Sequence, residues 1–159
     1  MGGRSGQSIG GGGSSYSWTT NKSENARILA SIAEKEGYKV EIKAFGAGRN
    51  EIAMAANGKI YINKTSKLLS DPEKNMQAQY KSKWLSTDKP EGIIYHEIAH
   101  LKFKQRDNFF TNSHRDIAEK VSRYARRNPK EFVSETYAGI KTGKKYSNEV
   151  MRLFKQYTD

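Results

Sequence analysis

The stretch Glu91-Gly92-Ile93-Ile94-Tyr95-His96-Glu97-Ile98-Ala99-His100-Leu101 constrains this chain more than any other. Its apolar residues surround two histidines and a glutamate. Pro90 stands just before it, so it reads as a buried helix running to about Gln105. Residues four apart on an α-helix stand one above the other on the same face. His96 and His100 therefore project together, with Glu97 rotated about a quarter turn away. Placing two imidazoles and a carboxylate in an apolar interior is costly unless something compensates them. Whatever the fold, it has to supply that partner.

A metal ion is such a partner. Zinc takes imidazole nitrogens at ~2.0–2.1 Å, and a catalytic zinc site keeps one position for water beside three protein ligands. A carboxylate next to that water can take its proton as it attacks a carbonyl. His96 and His100 are thus candidate ligands of one zinc ion, and Glu97 is the candidate general base. The chain has only three histidines, and two of them fall in this pattern. It has no cysteine, which removes disulfides, thiolate ligands and a thiol nucleophile from consideration.

The third ligand is harder to read. One extended metallopeptidase pattern needs glycine and histidine three and six residues after the second histidine, and here those positions hold Phe103 and Arg106. The downstream candidates are His114, Glu119, Glu131 and Glu135. His114 falls at a helix start in a polar loop, and Glu119 lies opposite the apolar stripe Ile117, Val121, Tyr124 and Ala125. Glu131 and Glu135 are i, i+4 neighbours among Phe132, Val133, Ala138 and Ile140, a spacing at which like charges repel. A cation or a charged ring would relieve that repulsion. Asn128-Pro129 is an N-cap followed by proline at the first helical position, which fixes Glu131 in the first turn. Glu135 then lies about 6 Å further along the same face. At most one of the two reaches an ion near ~2 Å, and the other suits an outer position, accepting a ring N–H.

The residues 91–100, followed by Tyr124-Ala125-Arg126-Arg127-Asn128-Pro129-Lys130-Glu131-Phe132-Val133-Ser134-Glu135, resemble the catalytic domain of anthrax lethal factor. They are similar also to the Pro-Pro endopeptidases of clostridia and to zinc-peptidase-like domains on phage head proteins. The resemblance covers mainly residues 91–140. It implies a zincin-like, gluzincin-type fold and peptide-bond hydrolysis by metal-activated water. It implies one zinc ion on His96, His100 and Glu131, with Glu97 as general base. It further implies that Tyr124 assists the transition state and that Glu135 supports the ligands. Val133, Ser134 and Thr136 depart from the usual residues, so substrate choice does not carry over.

Around this centre the pattern is helix, small sheet, helical half: an α+β domain over residues 21–159. A helix is expected from Asn21, with Glu24 as capping-box partner, to Gly37. Strands are expected over 38–45, 51–56 and 59–63, in a small antiparallel sheet with Asn57-Gly58 as a hairpin turn. The strand Lys59 to Asn63, if at an edge, would pair with an extended peptide. Residues 64–89 are polar and resist assignment. A helix should follow Ser113, with Asp116 at the capping position, and bury Ile117, Val121, Tyr124 and Ala125. Further helices are expected from Asn128 to Gly143 and from Ser147 to Tyr157. Residues 1–20, with the run Gly10 to Gly13, read as a flexible linker tethered to an upstream domain or a phage particle.

The net charge is +11, from 28 basic and 17 acidic residues. Apart from Arg4, the basic residues are scattered from Lys22 to Lys155 rather than gathered, which reads as a solvated basic surface; nucleic acid fits the charge but no motif supports it. No apolar run approaches the ~18 residues of a membrane span, so no membrane partner is expected. The first residues lack the apolar core of a secretory signal. The expectation is a soluble protein of phage or host cytoplasm acting on a protein or peptide. The alternatives are a non-catalytic zinc-containing module of a phage or mobile-element particle, and the catalytic domain of a toxin.

Overall fold

The computed structural model describes residues 16–104 and 108–159. The chain runs α1 (Lys22–Lys35), β1 (Lys39–Lys43), β2 (Ala53–Ala56), β3 (Lys59–Asn63), α2 (Pro72–Lys81), α3 (Glu91–Lys102), α4 (Asn112–Glu119), α5 (Pro129–Lys141) and α6 (Asn148–Thr158). Short 3-10 turns cover Lys67–Ser70 and Tyr124–Arg126. This is an α+β fold. No helix among the described residues is long and apolar enough to cross a membrane.

Local chemistry starts most helices where the sequence marks them. Asn21 accepts from the Glu24 N–H at 2.9 Å, although the reciprocal half of the box is made by Thr19, whose hydroxyl accepts from the Asn21 N–H. Asn128 accepts from the Glu131 N–H at 2.9 Å with Pro129 in the first turn, and Ser147 caps α6 through the Val150 N–H. Residues 1–15 of the expected linker lie outside the described residues, but its last part is built into the fold. Tyr16 and Trp18 pack against the core, and buried Asn25 donates to the carbonyls of Thr19 and Leu69.

The sheet corrects one expectation. It is mixed, in the order β1-β3-β2, with β1 parallel and β2 antiparallel to β3. The Asn57-Gly58 turn does join β2 to β3, with positive φ at both residues. Residues 44–52, however, carry the chain past β3 to the opposite edge. Gly46 and Gly48 take positive φ in this crossing. Fully buried Asn63 anchors it, donating to the carbonyls of Arg49 and Glu51 while its oxygen accepts from Phe45 and Thr65. β3 is therefore central, and Lys59–Asn63 offers no free edge to a peptide; β2 is the edge beside α3.

The helical half corrects a second expectation. A single helix does not run from residue 113 through Ala125, and Asp116 is not its cap. Thr111 caps α4 in a reciprocal capping box with His114, and α4 ends at Glu119. The chain then turns, because the N–H groups of Arg123 and Tyr124 donate to the carbonyls of Lys83 and Trp84 instead of continuing a helix. The unassigned region 64–89 contains α2, capped by Asp71 with Pro72 in the first turn. The helix expected to reach Gln105 stops at Lys102; Gln105 itself lies outside the described residues, as does Arg106.

Two cores result. Leu29, Ile32, Ile60, Ile62, Leu69, Ile94 and Ile98 join α1, the sheet and α3. Ala118, Val121, Ala125, Phe132, Val150 and Leu153 join α4, α5 and α6. The seam between them is the packing of α3 on α5, the most extensive helix pair among the described elements. Because Asn63 pins the crossing loop that delivers β2, Asn63→Ala should strand several buried backbone groups. We expect a loss of about 3 kcal/mol in urea unfolding, at the upper end of the cost of such groups; a change under about 0.5 kcal/mol would contradict that role.

Candidate metal centre

α3 and α5 meet where their polar residues face each other. His96 and His100 lie one turn apart on α3, and Glu131 comes from the capped first turn of α5. One donor atom from each lies within 4.8 Å of the others. The glutamate Oε1 is 3.0 Å from His96 Nε2 and 3.3 Å from His100 Nε2, and the two Nε2 atoms are 3.2 Å apart. Ligands bonded at ~2.0–2.1 Å to a tetrahedral ion stand roughly 3.3 Å from one another. Despite these near neighbours, Glu131 Oε1 is buried without a hydrogen bond. The three candidate ligand atoms thus converge on one point, and the two-histidine, one-carboxylate set suits zinc.

Glu135 takes a different place. Its Oε2 accepts from His96 Nδ1 at 2.7 Å, while its Oε1 accepts from the Ser86 N–H at 2.8 Å and the Ser122 hydroxyl at 2.9 Å. That directs the Nδ1 side of the His96 ring to Glu135 and turns Nε2 toward Glu131 and His100, the side from which an ion would be bound. Ser86 and Ser122 were not singled out from the sequence, and no spacing signal marks them. Both come from loops that only the tertiary fold brings to α5.

Glu97 lies beside the cluster, its Oε1 accepting from the Ala55 N–H of β2 at 2.9 Å. Burial raises its pKa above the usual carboxylate range and outweighs the pull of His96 and His100. Tyr124 reaches the site from the 3-10 turn. Its ring lies parallel to His96 (5° between planes, 5.5 Å between centroids) and stacks on Trp84 from behind at 5.0 Å. Burial, reinforced by Glu131 and Glu97, pushes its phenol well above 10, so it stays a hydrogen-bond donor. The other two candidates are elsewhere. His114 caps α4, packs near Phe110 and lies 3.2 Å from the Tyr157 hydroxyl; Glu119 is exposed and pairs with Arg126.

The centre opens on two sides. A cleft lined by Met54, Ala55, His100, Phe103, Lys130 and Val133 exposes the cluster. A cavity of about 240 Å³ runs from His96, Glu97 and Tyr124 toward Leu68, Met76, Leu85 and Ile93. No family model, no curated protein sequence and no solved structure matches the chain.

Electrostatics gives this centre a measurable signature. Burial lowers the His96 pKa, but the carboxylates of Glu131 and Glu135 outweigh it and hold the ring well above its usual 6.5. Without metal at pH 7, His96 therefore carries a proton on both nitrogens. An ion bound through Nε2 must displace one of them. Zinc affinity should rise with pH, by up to about tenfold per unit below the His96 value. Calorimetry at pH 7 in buffers of different ionisation enthalpy should read about one proton released per ion. Release of none would mean that His96 is not a ligand.

The two glutamates should also separate. Glu131→Ala should remove most zinc binding, whereas Glu135→Ala should weaken it by ~10–100-fold, as loss of an outer partner does. A smaller defect in Glu131→Ala than in Glu135→Ala would exchange the two roles.

Proposed function

We propose that this chain is a zinc-dependent endopeptidase of zincin type, akin to the lethal-factor-like peptidases its residues 91–140 resemble. The observation that carries the reading is the convergence of His96, His100 and Glu131 beside a buried, proton-accepting Glu97. His96, His100 and Glu131 would hold a zinc ion, which would supply Lewis acidity and lower the pKa of an attacking water toward ~7.

The chain's own groups supply the rest. Glu97 takes the proton of the attacking water at its carboxylate and passes it to the leaving amine; its raised pKa suits both tasks. Tyr124 keeps its phenol proton and donates a hydrogen bond to the developing oxyanion. Glu135 holds the His96 ring by its Nδ1–H, so that the ligand is oriented before substrate arrives. An extended peptide has the β2 edge to pair with, the strand whose Ala55 N–H already reaches Glu97. The 240 Å³ cavity is smaller than the ~300–1,000 Å³ of sites for whole small ligands, and its mostly apolar wall suits one side chain of a peptide.

Glu97→Gln should leave zinc bound while kcat/KM on a cleaved peptide falls by ~10²–10⁴-fold, the usual range for general acid–base catalysis. The screen is a diverse peptide library digested by the zinc-loaded protein and read by mass spectrometry. A variant that cleaves like its parent would end the role of Glu97. A parent that holds zinc yet cleaves nothing would favour a metal-stabilised, non-catalytic module.

A further inference from the structure

Ser122 stands two residues before Tyr124 and is 3% exposed. A serine hydroxyl has one proton to donate and lone pairs to accept. Here the proton goes to Glu135 Oε1 at 2.9 Å, and a lone pair takes the Ala125 N–H at 3.1 Å. The second bond closes the turn that carries Tyr124. The first holds the carboxylate that orients His96. One hydroxyl therefore ties together two groups from different elements, a candidate metal ligand on α3 and a phenol on the 3-10 turn.

The neighbourhood closes this link into a ring. Ser86 donates its N–H to the same Glu135 oxygen, and its hydroxyl donates to the Glu135 carbonyl at 2.7 Å. Two residues earlier, the Trp84 carbonyl accepts the Tyr124 N–H, and the Trp84 ring backs the Tyr124 ring. Every step from Tyr124 through Trp84, Ser86, Glu135 and Ser122 to Ala125 is a hydrogen bond, a ring contact or a short run of chain. Glu135 cannot rotate without stranding buried donors, and the turn cannot shift without disturbing Ser122.

We propose that Ser122 is a positioning residue that sets the His96 ring and the Tyr124 phenol relative to each other, holding Glu135 with its proton and the Tyr124 turn with its lone pair. The inference rests on the zinc-peptidase reading for its catalytic consequence and on geometry alone for the coupling. It explains why a polar residue occupies a buried position between the apolar residues Val121 and Ala125.

The test compares Ser122→Ala with Thr142→Val. The latter removes another buried hydroxyl, one that bonds Thr87, the residue after Ser86, and the end of α5 but makes no bond to Glu135, Ser122 or Tyr124, and it serves as the control for general destabilisation. In Ser122→Ala, zinc Kd should rise about tenfold, the lower end of the ~10–100-fold range for outer partners, because the residue acts through Glu135. Amide exchange at Ala125 should accelerate, and the His96 Nδ1–H proton resonance should broaden or shift. With zinc saturating, kcat should fall about tenfold at constant KM, and it should fall no further when Ser122→Ala is added to Tyr124→Phe. Thr142→Val should lower Tm yet keep zinc Kd, Ala125 exchange and the His96 resonance. A parent without zinc or without cleavage would overturn the metallopeptidase reading alone; exchange at Ala125 and the His96 resonance would still judge the coupling. Ser122→Ala with both signals unchanged, or Thr142→Val changing them equally, would overturn the proposal.

Discussion

The hydrogen bond between His96 Nδ1 and Glu135 Oε2, 2.7 Å long and buried on both sides, is the contact around which the helical half is arranged. A carboxylate that deep is tolerated only when its lone pairs are taken, because an uncompensated buried charge costs several kcal/mol. Satisfying Glu135 requires a ring from α3, a backbone N–H from the loop before α3 and a hydroxyl from the loop before the Tyr124 turn. Three separate segments are thus registered against α5 by one side chain. Glu131, one turn nearer the N-terminus of the same helix, is placed as a consequence. Its position opposite both Nε2 atoms follows from the Asn128 cap and from the pairing of Glu135.

The small sheet serves the same centre from the other side. Its topology makes β2 an edge strand packed on α3, and the Ala55 N–H meets Glu97. A carboxylate in this position is desolvated without being neutralised, which raises its affinity for a proton while one backbone donor holds its direction. The crossing loop that makes this arrangement possible hangs on Asn63, whose side chain does for residues 44–52 what Glu135 does for the helices. Two buried polar side chains therefore organise what the two apolar cores cannot specify, since apolar contacts are non-directional.

Much of this was legible in the order of residues. The buried helix around His96 and His100 follows from apolar residues packed around an i, i+4 pair. The start of α5 follows from Asn128-Pro129, and the β2–β3 hairpin from Asn57-Gly58. The pairing of Glu131 with Glu135 as an unfavourable spacing also marked the helix that faces the histidines. Other features had no local signature. The parallel pairing of β1 with β3 depends on where a nine-residue loop lands. The break after α4 arises because the N–H groups of Arg123 and Tyr124 bond to residues 83 and 84, about forty positions earlier. α2 did carry a local mark, Asp71-Pro72, within a polar stretch whose apolar period was too weak to follow.

Sequence alone determined the elements whose causes are local: caps, turns, the face a helix presents and the residue types that can share a metal ion. It also indicated that a helix bearing His96, Glu97 and His100 needed a compensating partner such as a metal ion, because their burial is unfavourable without one. The tertiary structure decided which groups answer that need. Glu131 and Glu135 differ by one helical turn and nothing else in their chemistry, yet one faces two Nε2 atoms and the other a single Nδ1. Ser86, Ser122 and Ala55 enter only because distant segments fold onto the α3–α5 seam. Hydrogen bonds are short and directional, so their partners are fixed by position in space, and a position in space is what a linear order of residues leaves unspecified.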